Sequence, residues 1–193
     1  MLDLTKVPQA LSLSKMAVGA EWDSKGAKNA LVNAFRRKKG CDLDLIAVLF
    51  QRGRAVRYAG WKNLNPLKDG TVTHTGDNTT GAGDGDDELV EVDLANLPTE
   101  VDKIVFMIGT KEKSFNSAEN VSFNMYDISS GNQEKLAPSI WPELGKVYNA
   151  LALCSVERSQ DQWLWKLVEK FGNIQFNEQS LLAFANQTQN AGQ

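Results

Sequence analysis

Gly70-Thr-Val-Thr-His-Thr-Gly-Asp-Asn-Thr-Thr-Gly-Ala-Gly-Asp-Gly-Asp-Asp-Glu-Leu-Val-Glu-Val-Asp-Leu94 divides into two parts of different character. Its end, Leu89 to Leu94, alternates apolar and polar residues, the pattern of a half-buried strand. Its centre, Thr75 to Glu88, packs Asp77, Asp84, Asp86, Asp87, Glu88 and the amide Asn78 among Gly76, Gly81, Gly83 and Gly85, with no Lys or Arg among them. Carboxylates this dense repel one another unless something positive lies between them. Calcium is a common solution, because it takes about six to eight oxygen ligands from carboxylates, amides, backbone carbonyls and water. Glycines let the chain turn tightly enough to aim several oxygens inward. The stretch is therefore read as a calcium-binding loop that feeds a strand, and not as a catalytic loop. Solvated turns use the same residue types, so the reading needs support from elsewhere in the chain.

Two familiar calcium motifs do not fit. An EF-hand frame begun at Asp84 places Leu89 where its glycine belongs, and one begun at Asp77 places Thr79 and Gly81 at ligand positions. The glycine-rich nonapeptide of calcium-binding β-helices must recur in tandem, and here it occurs once.

Outward from this loop, strand signals dominate. Ala10 to Ser14, Leu43 to Phe50, Ala55 to Tyr58, Lys103 to Ile108, Phe123 to Asp127, Val147 to Cys154 and Gln162 to Val168 are short apolar or alternating runs separated by Gly, Asn and Asp turns. Trp163, Trp165 and Leu167 fall on one face of the last run. The pattern predicts an all-β fold, a β-sandwich of short, mainly antiparallel strands with minor helical segments. Helical character is confined to Asn29 to Arg37 and to Asn177 to Ala185. One domain is expected over residues 1–185, followed by a disordered tail over 186–193, which lacks apolar residues of any size.

The 193 residues suffice to bury a core without help from a metal or a disulfide. No apolar run approaches the roughly 18 residues of a membrane span. The N-terminus lacks the basic start and apolar core of a secretory signal. The two cysteines, Cys41 and Cys154, are too few for a disulfide framework. A cytoplasmic location is the expectation. Charge is uneven: Met1 to Lys68 carries 13 Lys and Arg against five acids, whereas Asp69 to Asp102 carries ten acids and no base. The acidic middle suits a cation. The basic first third, with Arg36-Arg-Lys-Lys39, could attract an anionic partner, but without interleaved aromatics it gives no strong nucleic-acid signal.

Asp42 and Asp44 are two apart on an expected strand, so both side chains share a face and could turn toward the loop. With Asp77, Asn78, Asp84, Asp86, Asp87 and Glu88 as side-chain candidates, and Gly81 and Gly83 as carbonyl donors, the ligand set is large enough for one or two calcium ions. Magnesium fits less well, since it demands a rigid octahedron and keeps its waters. Zinc and iron fit poorly, because His74 is the only histidine and the cysteines are not clustered. His74 is read as a strand-end residue hydrogen-bonded to the loop.

The run from Gly70 to Glu88 resembles the signature of the TerD-like tellurium-resistance proteins. Leu11-Ser-Leu-Ser-Lys15, Glu21-Trp-Asp23, Cys41-Asp-Leu-Asp-Leu45, Val92 to Pro98, Val101 to Phe106 and Asn116 to Asp127 match further elements in family order. The resemblance extends from about Leu11 to about Phe171, with Lys25 to Gly40 standing out as an insertion. It implies a β-sandwich with calcium in loops at one edge. It implies a bacterial or phage-encoded cytoplasmic stress protein, without enzymatic activity. The favoured expectation is that calcium orders the loop as a docking edge for other stress-response proteins or a membrane-associated complex. Two other functions compete with this one. One is a metal-assisted hydrolase using the acidic cluster; the other is a nucleic-acid or lipid binder acting through the basic first third.

Overall fold

The computed structural model describes residues 10–24, 42–81, 85–160 and 162–190. Among these residues, eleven strands form two antiparallel sheets. They are β1 (Ala10–Leu11), β2 (Lys15–Ser24), β3 (Asp44–Gln51), β4 (Arg54–Ala59), β5 (Val72–His74), β6 (Glu88–Asp93), β7 (Val101–Gly109), β8 (Ala118–Asp127), β9 (Glu134–Lys135), β10 (Ala150–Ser159) and β11 (Gln162–Gly172). One sheet has the order β1-β11-β10-β7-β3-β4 and the other β5-β6-β2-β8-β9. The expected β-sandwich is thus the observed architecture.

The inner faces meet in one core. Met16, Val18, Ala20 and Trp22 of β2, Leu45, Ala47 and Leu49 of β3, and Ile104, Phe106 and Ile108 of β7 alternate inward, as the period of two requires. The larger sheet is apolar on its outer face too, where Ile46, Val48, Phe50, Val105 and Met107 meet Leu181, Phe184 and Ala185. These last three lie on the helix α1 (Glu178–Asn186), which Asn177 caps by accepting from the Ser180 amide at 3.0 Å. A helix over β3 and β7 explains why both strands read as continuous apolar runs rather than as alternation.

Several boundaries differ from the sequence-based expectation. Residues 187–190, placed by composition in a structureless tail, form a 3-10 turn. The Thr188 hydroxyl there is buried and donates to Ala185 O at 2.7 Å, and Asn186 Oδ1 accepts from the Ala55 amide at 2.9 Å. Within the turn, Thr188 bonds back to the helix and the Gln189 side chain donates to Gly53 O of the β3–β4 hairpin, so polar groups hold this segment. Val147 and Tyr148, expected in an apolar strand, are exposed, and β10 begins only at Ala150. The expected helical stretch Asn29 to Arg37, the basic run Arg36 to Lys39, and Cys41 lie outside the described residues. Among the described residues no helix is long and apolar enough to cross a membrane.

Candidate metal centre

One end of the sandwich gathers the start of β3, the β5–β6 connection and the end of β7. Asp44 opens β3 and Asp42 precedes it by two, so both carboxylates leave the strand on the same side. Asp77, three residues beyond β5, reaches them from the loop. One carboxylate oxygen from each of Asp42, Asp44 and Asp77 lies within 4.8 Å of the others. The Asp44 side chain is fully buried and that of Asp77 is exposed, so the group opens outward.

The loop is held against β3 by side chains that replace a missing strand neighbour. β4 pairs with β3 only from Ala47, opposite Ala59, which leaves Leu45 beyond its reach. Glu88 Oε2 accepts from the Leu45 amide at 2.7 Å, and His74 Nε2 lies 3.0 Å from Leu45 O. Because His74 Nδ1 accepts from the Gly76 amide at 3.0 Å, Nε2 carries the ring proton and donates to that carbonyl. The other Glu88 oxygen accepts from the Asn78 amide at 3.0 Å. Asn78 Oδ1 in turn receives the Thr80 and Gly81 amides at 3.1 and 3.2 Å, an Asx-type turn. Gly81 has φ +58°, and a Cβ there would overlap the Trp22 indole. Only glycine fits that approach.

Asp86 and Asp87 face the other sheet. Asp87 accepts from the Trp22 amide at 2.9 Å and from Asn78 Nδ2 at 2.8 Å. Burial raises the Asp87 carboxyl above its ordinary range, the Trp22 amide draws it back, and the charges of Glu21, Asp23 and Glu88 push it up again. Asp86 crosses the outer face of β2, where it accepts from Asn124 Nδ2 at 2.5 Å and the Tyr126 hydroxyl at 2.6 Å. It lies over Gly19, whose missing side chain makes the room. Gly19→Ala is therefore expected to dislodge Asp86 and destabilise the fold by about 1–3 kcal/mol, measured by denaturant unfolding.

Of the ten sequence candidates, the structure brings Asp42, Asp44 and Asp77 together. It engages Asn78, Asp87 and Glu88 in hydrogen bonds within the protein and places Asp86 on the outer face of β2. Gly81 turns the loop against Trp22. Gly83 and Asp84 lie outside the described residues.

Both oxygens of Asp44, and Oδ1 of Asp42, are buried with no hydrogen-bond partner. Buried carboxylate oxygens left this way are costly, and they fit a cation-binding role. Burial pushes the Asp44 carboxyl up to about 8; Lys111 opposes this, while Glu88, Asp42 and Asp77 add to it. Three hard carboxylate donors, with no nitrogen or sulfur among them, suit an oxygen-seeking cation.

Lys111 is the residue that sequence reasoning missed. Its Nζ lies 3.4 Å from Asp42 Oδ2 and 3.7 Å from Asp44 Oδ2. Burial pulls this ammonium down, but Asp44 and Asp42 outweigh it and hold it above its ordinary value. The two residues are 69 apart in the chain, and only the pairing of β3 with β7 brings them together.

The family model for the TerD domain matches residues 1–178. The tellurium resistance protein TerZ of Serratia marcescens is 31% identical over 157 residues, covering 80% of this chain and 79% of that one. The tellurium resistance protein TerD of the same organism is 30% identical, covering 82% and 81%. The stress response protein SCP2 of Bacillus subtilis (strain 168) is 29% identical and covers 86% of each chain. In solved structures, a homologue of telluride resistance protein from Streptomyces coelicolor A3(2), SCO6318, has the same fold. It superposes with a TM-score of 0.65 at 18% identity, over 84% of this chain and 92% of that one.

Proposed function

The chain belongs to the TerD domain family, and from that premise we propose that it is a calcium-binding, non-catalytic stress-response protein of the tellurium-resistance kind. The observation that carries the calcium part is Asp44: a fully buried carboxylate without a hydrogen bond, grouped with Asp42 and Asp77. A divalent ion there would satisfy three carboxylates at once and screen their repulsion. Asp77 comes from the loop and Asp42 and Asp44 from the β3 end, so the ion would tie the loop to the larger sheet. Calcium suits the arrangement better than magnesium, because a group built partly on a loop does not impose the near-ideal octahedron that magnesium demands.

The non-catalytic part is supported by His74, the one histidine, whose ring nitrogens are both engaged by backbone groups. The ordered loop then acts as a docking edge for protein partners in the stress response, in the manner of a switch set by an ion.

Calorimetric titration of chelator-stripped protein with calcium, with magnesium as competitor, tests the reading. Saturable binding of one or two ions, little affected by magnesium at equal concentration, is expected. No heat of binding up to millimolar calcium would sink it.

A further inference from the structure

A lysine facing the candidate ligands is not what a cation site alone would call for. The register of β3 and β7 puts it there: Asp44 pairs with Gly109, so the continuation of both chains sets Asp42 opposite Lys111. The ammonium is close enough to attract both Asp42 and Asp44, at 3.4 and 3.7 Å. It is too far to make the short charge-assisted bonds of about 2.7–2.9 Å that a fixed ion pair makes. Asp44 accordingly keeps both oxygens without a hydrogen bond. The Lys111 side chain is 42% exposed, so its flexible stem has room to move.

A second surface lies ready for the same ammonium. Trp61 and Phe176 stack with ring centroids 4.7 Å apart, and Lys111 Nζ sits 5.2 and 5.9 Å from their centres. Aromatic faces hold a cation at such distances. Lys111 therefore stands between two attractive positions, the carboxylates and the rings. A divalent ion among Asp42, Asp44 and Asp77 would repel the ammonium from the first toward the second.

Resting on the metal reading above, the geometry points to Lys111 as a tethered counter-cation that competes with the divalent ion for Asp42 and Asp44 and so sets the calcium concentration at which the loop is captured. Before the ion binds, Lys111 offsets part of the pair's negative charge. When the ion binds, the ammonium withdraws over Trp61 and Phe176. The site's affinity is then tuned by a residue that is not a ligand.

The test is calcium calorimetry on the full chain, stripped of metal, with wild type, Lys111→Met and Lys111→Arg side by side. Lys111→Met is expected to bind calcium roughly tenfold more tightly, and Lys111→Arg to stay near wild type because it keeps the charge. Metal-free melting supplies a second reading: Lys111→Met melts lower than wild type, and adding Asp44→Asn restores the midpoint. A lysine with a merely structural role would weaken calcium binding on removal, or leave it unchanged, and either result in Lys111→Met overturns the proposal. A metal-free melting point that Lys111→Met does not lower also overturns it. A wild-type chain that takes up no calcium fails the metal reading itself, and this proposal with it.

Discussion

Replacing Asp42 and Asp44 together by asparagine is expected to weaken calcium binding by at least ~100-fold, about 2.7 kcal/mol, while the protein remains folded. The two are members of the one group of three acids that the described residues place within reach of a common ion. Asparagine keeps the shape and removes both charges, so an ion would be left with Asp77 and water. The fold should tolerate the change, because Asp44 has no hydrogen bond to lose and its burial already disfavours the charged carboxylate when no ion is present. In thermal melts the wild type should gain stability with rising calcium, as any ligand specific to the native state provides. The double variant should lose that gain. Retention of the gain would show that calcium binds elsewhere.

Glu88→Ala should do the opposite: damage the fold whether or not calcium is present. Its carboxylate is 1% exposed and accepts from the Leu45 and Asn78 amides at 2.7 and 3.0 Å, with His74 Nε2 3.3 Å away. Truncation leaves the buried Leu45 amide and the part-buried Asn78 amide unpaired and removes one of the two links between the β5–β6 hairpin and β3, the other being His74 to Leu45 O. Losing charged acceptors of this kind costs about 3–5 kcal/mol. For a chain of this size that is a fall of roughly 10 °C in the melting midpoint. Glu88→Gln should fall between the two, since its amide nitrogen cannot accept. A Glu88→Ala protein that melts like the wild type but no longer binds calcium would make Glu88 a ligand instead of a strut.

The sheets were legible where side chains alternate. Leu89 to Leu94 and Phe123 to Asp127 each announce a strand by alternation, and β6 and β8 are those strands, although Val121 to Tyr126 of β8 are buried on both faces. β2 was harder to read, although it runs through the centre of its sheet. Its inward residues Met16, Val18, Ala20 and Trp22 alternate with Ala17 and Gly19, which are small because Tyr126 and Asp86 lie across them. Between Lys15 and Glu21 no polar residue marks the outer face, so the period is blurred. The 3-10 turn after α1 was illegible for another reason: its tie to the distant β3–β4 hairpin is a single hydrogen bond, from Gln189 to Gly53 O.

At the site, residue types revealed the chemistry but not the division of labour. Asp77, Asp86, Asp87 and Glu88 look equivalent along the chain. What separates them is which distant donor each one meets. Glu88 meets the Leu45 amide, Asp87 the Trp22 amide and Asp86 the Tyr126 hydroxyl, while Asp77 meets two more carboxylates. Those encounters are set by how the two sheets close, which local spacing does not encode. Asp42 and Asp44 were legible because a spacing of two on a strand fixes a common face. Lys111 was not, because nothing near it in the chain is acidic except Glu112.

The most direct measurement is a crystal structure of the chain grown with calcium, with the ion located by its anomalous scattering. The account predicts a peak at about 2.3–2.6 Å from carboxylate oxygens of Asp42, Asp44 and Asp77. Glu88 should still hold the Leu45 amide, and Lys111 should be turned onto Trp61 and Phe176. A calcium peak bound by Glu88 or Asp86 with the Asp42–Asp44 pair left to Lys111, or no peak at all in saturating calcium, would contradict it.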